Sequence, residues 1–344
     1  MDEVFSLDRI IAMDAAEAEA AVGPRRARID GRVIDPRIQL FSEYLLTLGP
    51  QDRLPTPTEA RALFTELTPK IVTPHPALAR IEDFTIPGPA GPLPARLFSP
   101  RPAGATPSRV LLYLHGGGWV QGSIEIYTAA CGKLAAWGAM AVVAVDYRLA
   151  PESPFPAGVE DCLAVWRWLA TNASSLGGDP TRMAVGGDSA GGNLSAIVCQ
   201  QLATDEPRPT AQLLIYPWLD ATLSLPSAVA MPEAYILPRP YLEWFKDHYL
   251  PDPVLARDPR VSPFFTDDLT GQPPAMIVTA GFDPLRDDGE LYADKLGTDG
   301  VPVTYREYAP EVHGFINFGR LTQAADGSLR EMAAWLRDTL GEDR

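Results

Sequence analysis

The sequence predicts an α/β fold: a mostly parallel central sheet with helices on both faces and a helical cap. Three observations predict it. From residue 110 onward, short apolar runs alternate with helical segments: Val110–Leu114, Met140–Val145, Met183–Val185, Leu213–Tyr216 and Ala275–Thr279. Continuous apolar runs of this length are what strands buried on both faces require. Between two of them, Val159, Cys162, Leu163 and Trp166 fall at i, i+3, i+4 and i+7, one face of a helix. Finally, the interval from Leu219 to about Pro263 breaks the alternation with prolines and aromatics, helical fragments and no strand pattern.

Taken in order, residues 1–75 are helical in texture, with Leu40, Phe41, Tyr44, Leu45 and Leu48 at helical spacing. Pro57 opens a helix through Leu67, and no strand pattern is present. Too small for a large core of its own, this part is expected to pack on the rest. A proline-rich link, Pro69 to Pro76, follows. Asp83–Ile86 and Ala95–Phe98 then read as two short strands around the turn at Pro87-Gly88-Pro89. The expected division is 1–75 as the N-terminal part of the cap, 76–218 as the first part of the core, 219–263 as a cap insertion and 264–344 as the second part of the core. The two cap pieces would lie over the carboxyl ends of the strands, where open α/β sheets place their sites.

A chain of 344 residues buries a large core without disulfide or metal. Its formal charge of −15 argues against nucleic acid and anionic lipid, whose phosphates need clustered Lys and Arg. The three cysteines, Cys131, Cys162 and Cys199, lie far apart in apolar segments, with neither disulfide nor zinc spacing. They are expected as small core residues in a reducing compartment. The opening Met1–Ser6 is acidic and has no secretory character. No apolar run is long enough to cross a membrane, so the cytoplasm is the expected location.

The chemistry is carried by four segments. Gly187-Asp188-Ser189-Ala190-Gly191 fits G-x-S-x-G between the strand Met183–Val185 and a helical run, Asn193 to Gln201. A strand, a tight turn and a helix are what a nucleophile elbow needs. Ser189 then sits at a helix N-terminus, where free N–H groups favour a developing anion. His115-Gly116-Gly117-Gly118-Trp119 follows the strand Val110–Leu114. Successive glycines allow main-chain N–H groups to point at one oxygen, as the tetrahedral oxyanion of acyl transfer requires. Gly117 and Gly118 are the expected donors, with the N–H of Ala190 as the third. A phosphate loop is excluded, because no Lys follows the glycines.

A serine nucleophile needs a base, and the base an orienting acid. Of four histidines, His75 lies in the proline-rich link, His115 in the glycine loop and His248 in the cap insertion. His313 follows the last strand-like segment, Val303–Tyr308, and completes the order Ser, acid, His. The acid should leave the strand Ala275–Thr279. Asp283, before Pro284, is the choice and is placed near the N-cap of the next helix. Asp287 and Asp288, one turn into that helix, are the alternatives.

Together these segments resemble the bacterial hormone-sensitive-lipase-like esterases of the α/β-hydrolase fold. The resemblance runs from about His115 to Phe318 and more weakly into the N-terminal part. It rests on the HGGGW loop at 115–119, on Asp146-Tyr147-Arg148-Leu149-Ala150-Pro151-Glu152, and on the elbow extended through Gly192 to Asn193. Asp283-Pro284-Leu285-Arg286-Asp287-Asp288-Gly289 and His313-Gly314-Phe315 complete it. Asp288 stands where the family usually has Glu. The resemblance implies that segment 146–152 braces the oxyanion loop, that the cap has two parts, and that short- to medium-chain carboxylic esters are hydrolysed without a cofactor. An amidase, lactonase or deformylating enzyme would use the same triad, and a small-molecule receptor of this fold would lack the histidine.

Candidate substrate contacts are Trp119, Asp188, Tyr235, Trp244 and Phe245, while Phe155 and Trp218 are assigned to the core. No metal, nucleic acid or membrane partner is expected. An edge strand at Val303–Tyr308 could pair two copies into a homodimer.

Overall fold

The computed structural model describes residues 6–48, 50, 52–204, 207–233 and 235–341. The first five residues, part of the opening read above as non-secretory, lie outside them. The centre is an eight-stranded sheet of β3 (Arg80–Gly88), β4 (Gly91–Ser99), β5 (Ser108–Leu114), β6 (Ala141–Val145), β7 (Gly178–Asp188), β8 (Ala211–Ile215), β9 (Ala275–Phe282) and β10 (Val303–Val312). A separate two-stranded ribbon, β1 (Arg28–Ile29) and β2 (Arg32–Val33), precedes it. The order across the sheet is β10-β9-β8-β7-β5-β6-β4-β3. Only β3–β4 and β4–β6 pair antiparallel. Every side chain of β5, β6, β8 and β9 is buried, the consequence of helices on both faces.

One face packs against helices Ile124–Gly138 and Gln323–Thr339, the other against Ala157–Asn172 and Ala190–Gln201. Cys131, Cys162 and Cys199 are free and buried within these layers, as the sequence indicates. Among the described residues no helix is long and apolar enough to cross a membrane.

Several strands run further than their apolar runs, β5 from Ser108, β9 to Phe282 and β10 to Val312 among them. β3 and β4 reach the turn at both ends, through Pro87, Pro92 and Pro94. Proline is tolerated there because β3 is the sheet edge and because β4 pairs with β6 only over Ala95–Phe98, so no ladder N–H is needed of Pro92 or Pro94 on that side. β7 runs on to Asp188 through Gly186 and Gly187, because a side chain at Gly186 would meet Leu213 Cβ at 2.8 Å. Its glycines are there for close packing, not to end the strand.

The N-terminal part is helical as expected: Leu7–Ala12, Ala15–Val22, Pro36–Leu45 and Pro57–Ile71. The last is started by a Thr56/Glu59 capping box with Pro57 in the first turn, and it continues past Leu67 through Pro69. The reading of no strand in this part is corrected by β1–β2. Asp30-Gly31, at φ 49° and 78°, makes the two-residue hairpin turn. Arg32 pins the ribbon to β10, with Nε and Nη2 donating to Glu307 at 2.5 and 2.7 Å. Between Leu219 and Pro263 lie helices Pro226–Ala230 and Arg239–Tyr249 and no strand among the described residues.

A buried polar knot joins the N-terminal part to the core. Lys133, with only 1% of its surface exposed, donates from Nζ to Thr73 Oγ1 at 2.6 Å and to Asp326 Oδ1 at 2.7 Å. Removing the acid leaves a buried ammonium with one neutral partner. Asp326→Ala is therefore expected to destabilise the fold by about 3 kcal/mol, against a much smaller loss for the double variant Lys133→Met/Asp326→Ala, as read from urea denaturation.

Candidate active site

The site begins where β5 and β7 run side by side. Ser189 follows β7 directly, with φ 55° and ψ −119°, and helix Ala190–Gln201 starts behind it. So sharp a turn requires the helix to pass against the end of β5. A Cβ on Gly187 would lie 2.1 Å from the Leu114 carbonyl oxygen, and one on Gly191 only 1.9 Å from it. Both must be glycine for the serine to be lifted onto the sheet's carboxyl edge.

β9 and β10 supply the partners. Asp283 lies just past β9, fully buried, and its Oδ1 accepts from the Leu285 N–H at 2.9 Å. The helix proper starts at Arg286, so Pro284 precedes it and does not form its first turn. β10 shifts register between Tyr308 and Val312, and His313 leaves its end. The His313 Nδ1–H donates to Asp283 Oδ2 at 2.8 Å, and the Ser189 hydroxyl donates to Nε2 at 2.9 Å. A carboxylate only accepts, so the tautomer is fixed with the proton on Nδ1 and a lone pair facing the serine.

The alternatives at the acid position are occupied elsewhere. Asp287 Oδ2 accepts from the Ser227 N–H at 2.8 Å. Asp288 Oδ1 accepts from the N–H groups of Leu219 and Asp220 at 2.7 and 2.8 Å. Both hold the segment that follows β8. Burial pushes the Asp288 carboxyl well above the usual carboxylate range.

The glycine loop lies beside the serine. Gly117 and Gly118 have φ of 115° and 59°, and a Cβ on Gly118 would strike the Phe245 ring at 2.3 Å. Among the described residues the N–H groups of Gly117, Gly118 and Ala190 have no partner in the protein. The Gly116 N–H, by contrast, donates to Asp188 at 2.9 Å.

Asp188 also accepts from the hydroxyls of Tyr113 and Tyr127, each at 2.9 Å. Both its oxygens are therefore engaged, and its carboxyl supports the loop from beneath although it borders the cavity. Burial pushes this carboxyl up to about 6, against the pull of the two tyrosines and the Gly116 N–H. His115 is buried too, its ring stacked 4.4 Å from Tyr147, and burial lowers its pKa.

Segment 146–152 meets the same loop from the other side. Tyr147 donates from its hydroxyl to the His115 carbonyl at 2.7 Å, and the Ala150 N–H donates to the Trp119 carbonyl at 2.8 Å. Arg148 is fixed in turn by Asp161, whose side chain is completely buried.

Ser189, His313, Gly117 and Gly118 open on one cavity of about 710 Å³. Tyr235, Trp244 and Phe245 line it as expected, but Trp119 does not. Trp119 stacks on Tyr249 at 4.3 Å and is 1% exposed, so it belongs to the core. Trp218, assigned to the core from sequence, is packed there at 1% exposure, with an edge bordering the cavity. Tyr113 and Tyr127 carry no signal at the level of sequence, because a tyrosine in an apolar run looks like any core aromatic until its hydroxyl finds a partner.

Two outcomes follow from this geometry. Gly191→Ala is expected to cost about 3 kcal/mol of stability or more, since neither backbone can yield to the new methyl, as read from urea denaturation. Glu311, two residues before His313, is 1% exposed and held by the Thr322 hydroxyl at 2.6 Å. Burial raises its carboxyl from 4.5 to about 7. Its folded pKa lies above the unfolded one, so its stabilising contribution is complete below about pH 4.5 and lost as pH rises through about 7. Glu311→Gln should therefore melt higher than the wild type at about pH 8, with the gap narrowing toward about pH 5 in a thermal unfolding series.

Comparison with known proteins identifies the family. The family described as the alpha/beta hydrolase fold matches residues 111–317. A carboxylic ester hydrolase, LipN, of Mycobacterium tuberculosis is 39% identical over 91% of this chain and 85% of its own. An ethyl acetate hydrolase of Pseudomonas putida is 40% identical over 69% of this chain and 76% of its own. The solved esterase of Pyrobaculum calidifontis superposes with a TM-score of 0.81 at 37% identity, covering 89% of this chain and 98% of its own. The chain therefore belongs to the α/β-hydrolase fold family and, within it, to the hormone-sensitive-lipase-like esterases that its motifs resemble.

Proposed function

We propose that the protein is a carboxylesterase that hydrolyses short- to medium-chain carboxylic esters through a Ser-His-Asp triad. The observation that carries this is the hydrogen-bonded line from Asp283 through His313 to Ser189, opening on a cavity beside unpartnered N–H groups. His313 Nε2 takes the Ser189 proton as Oγ attacks the ester carbonyl. The N–H groups of Gly117, Gly118 and Ala190 receive the oxyanion, which needs donors fixed before the charge appears. The imidazolium, stabilised by Asp283, gives its proton to the departing alcohol. Water then repeats the sequence on the acyl-enzyme and frees the acid.

Residues 1–75 and 219–263 act as the two parts of a cap. Support comes from the cavity walls, where Phe41 and Leu63 from the first part face Tyr235 and Phe245 from the second. A pocket of this size and apolar character suits a small apolar ester. The buried free cysteines support a cytoplasmic location. The outermost position of β10 supports a homodimer paired along Val303–Tyr308.

Turnover of p-nitrophenyl esters from acetate to palmitate tests the reading. Activity is expected to peak at short to medium chains, with Ser189→Ala losing roughly 10⁶ in kcat. Asp283→Asn should lose about 10⁴, by favouring the wrong tautomer. A folded wild type inert toward every ester would contradict the proposal.

A further inference from the structure

The loop that carries Gly117 and Gly118 is held in an unfavourable backbone conformation. Gly117, Gly118 and Trp119 have successive φ values of 115°, 59° and 60°. An L-residue such as Trp119 rarely adopts that region, so the loop keeps its shape only if its surroundings over-determine it. Most ties come from the core, through Asp188, Tyr147 and Ala150.

One tie comes from outside the core. Arg61, on the N-terminal helix Pro57–Ile71, donates from Nε to the Val120 carbonyl at 2.7 Å and from Nη2 to the Ala150 carbonyl at 2.9 Å. Nη1 and Nη2 also reach the Glu152 carboxylate at 2.8 and 2.7 Å. The Val120 N–H in turn donates to the Gly117 carbonyl at 3.1 Å. One guanidinium thus fastens the donor loop and the 146–152 brace together. The same helix presents Ala60, Leu63, Phe64 and Leu67 to the cavity, whereas Arg61 does not line it.

We propose that Arg61 is a positioning residue for ester hydrolysis, holding the oxyanion loop in register with the N-terminal helix that contacts the substrate's apolar group. This rests on the oxyanion role proposed above for Gly117 and Gly118. The planar fork of arginine meets two carbonyls and a carboxylate at once, which the compact ammonium of lysine cannot reproduce. The Glu152 side chain is 63% exposed, so the ion pair itself contributes little, and the two carbonyl contacts carry the effect.

The test measures kcat and KM on p-nitrophenyl butyrate for the wild type, Arg61→Ala, Arg61→Lys and Glu152→Gln. It adds the affinity of a trifluoromethyl ketone, which adds reversibly to the serine and forms the oxyanion. Arg61→Ala is expected to lose about tenfold in kcat, less than the 10²–10³ of a deleted oxyanion donor. KM should stay within about twofold, and the ketone should weaken in proportion to kcat/KM. Arg61→Lys should fall between, Glu152→Gln should stay within about twofold of the wild type, and added guanidinium ion should restore part of the Arg61→Ala activity. Unchanged kcat in Arg61→Ala, a loss carried by KM alone, or an unchanged ketone affinity overturns the inference. If Arg61→Ala does not fold, Arg61→Lys decides by the same three readouts. A wild type that hydrolyses no ester would overturn the hydrolase reading itself, whereas an active wild type indifferent to Arg61 overturns only this inference.

Discussion

The close passage of helix Ala190–Gln201 against the end of β5 is the constraint on which the site depends. With Gly191 and Gly187 both packed on the Leu114 carbonyl, no atom larger than hydrogen fits between them. The contact forces the turn that holds Ser189 at φ 55°, and it sets the first N–H of the helix beside the nucleophile. It also brings in the other half of the site, because Leu114 is the last residue of β5 and the glycine loop starts at the next one. One steric contact between two parallel strands and a helix therefore places nucleophile and donor loop side by side before any polar interaction is considered.

Polar interactions then fix what the backbone has brought together. Asp188, adjacent to the serine in sequence, reaches under the neighbouring loop to Gly116 and is itself held by two tyrosine hydroxyls. Such a buried carboxylate is costly unless fully satisfied, and here each oxygen has a partner. Asn193, one turn into the helix, donates to the carbonyls of Trp218 and Val261, each at 2.7 Å. Those residues bracket the segment between β8 and β9, so its two ends are tied to the nucleophile's own helix. Asp288 secures the start of the same segment. The parts bordering the cavity are thus anchored to the elements that carry the chemistry.

The sheet was legible because its strands are continuous apolar runs, and the triad because each member closes a strand in a readable motif. Less legible were features decided by three-dimensional neighbours. Gly186 and Gly187 looked like a turn, yet they continue β7, since only the facing Leu213 and Leu114 reveal why they lack side chains. Asp30-Gly31 carried a local hairpin signal that the surrounding helical texture obscured. Trp119, expected at the cavity, packs in the core beside Trp218. The positive φ at Trp119 turns its ring into the stack with Tyr249, and nothing in the order of residues records that. Arg61 was invisible for a related reason: its partners lie 59 to 91 positions away, at carbonyls that any sequence would supply.

The central claim is that Ser189 is the nucleophile and that the charge it creates falls on the Gly117, Gly118 and Ala190 N–H groups. A crystal structure of the protein inactivated by a p-nitrophenyl alkylphosphonate tests both halves at once. The account predicts one adduct, on Ser189 Oγ, with the phosphoryl oxygen within hydrogen-bond distance of those three nitrogens and the alkyl chain in the cavity beneath Phe245. An adduct on another residue, or a phosphoryl oxygen turned away from the glycine loop, would contradict it.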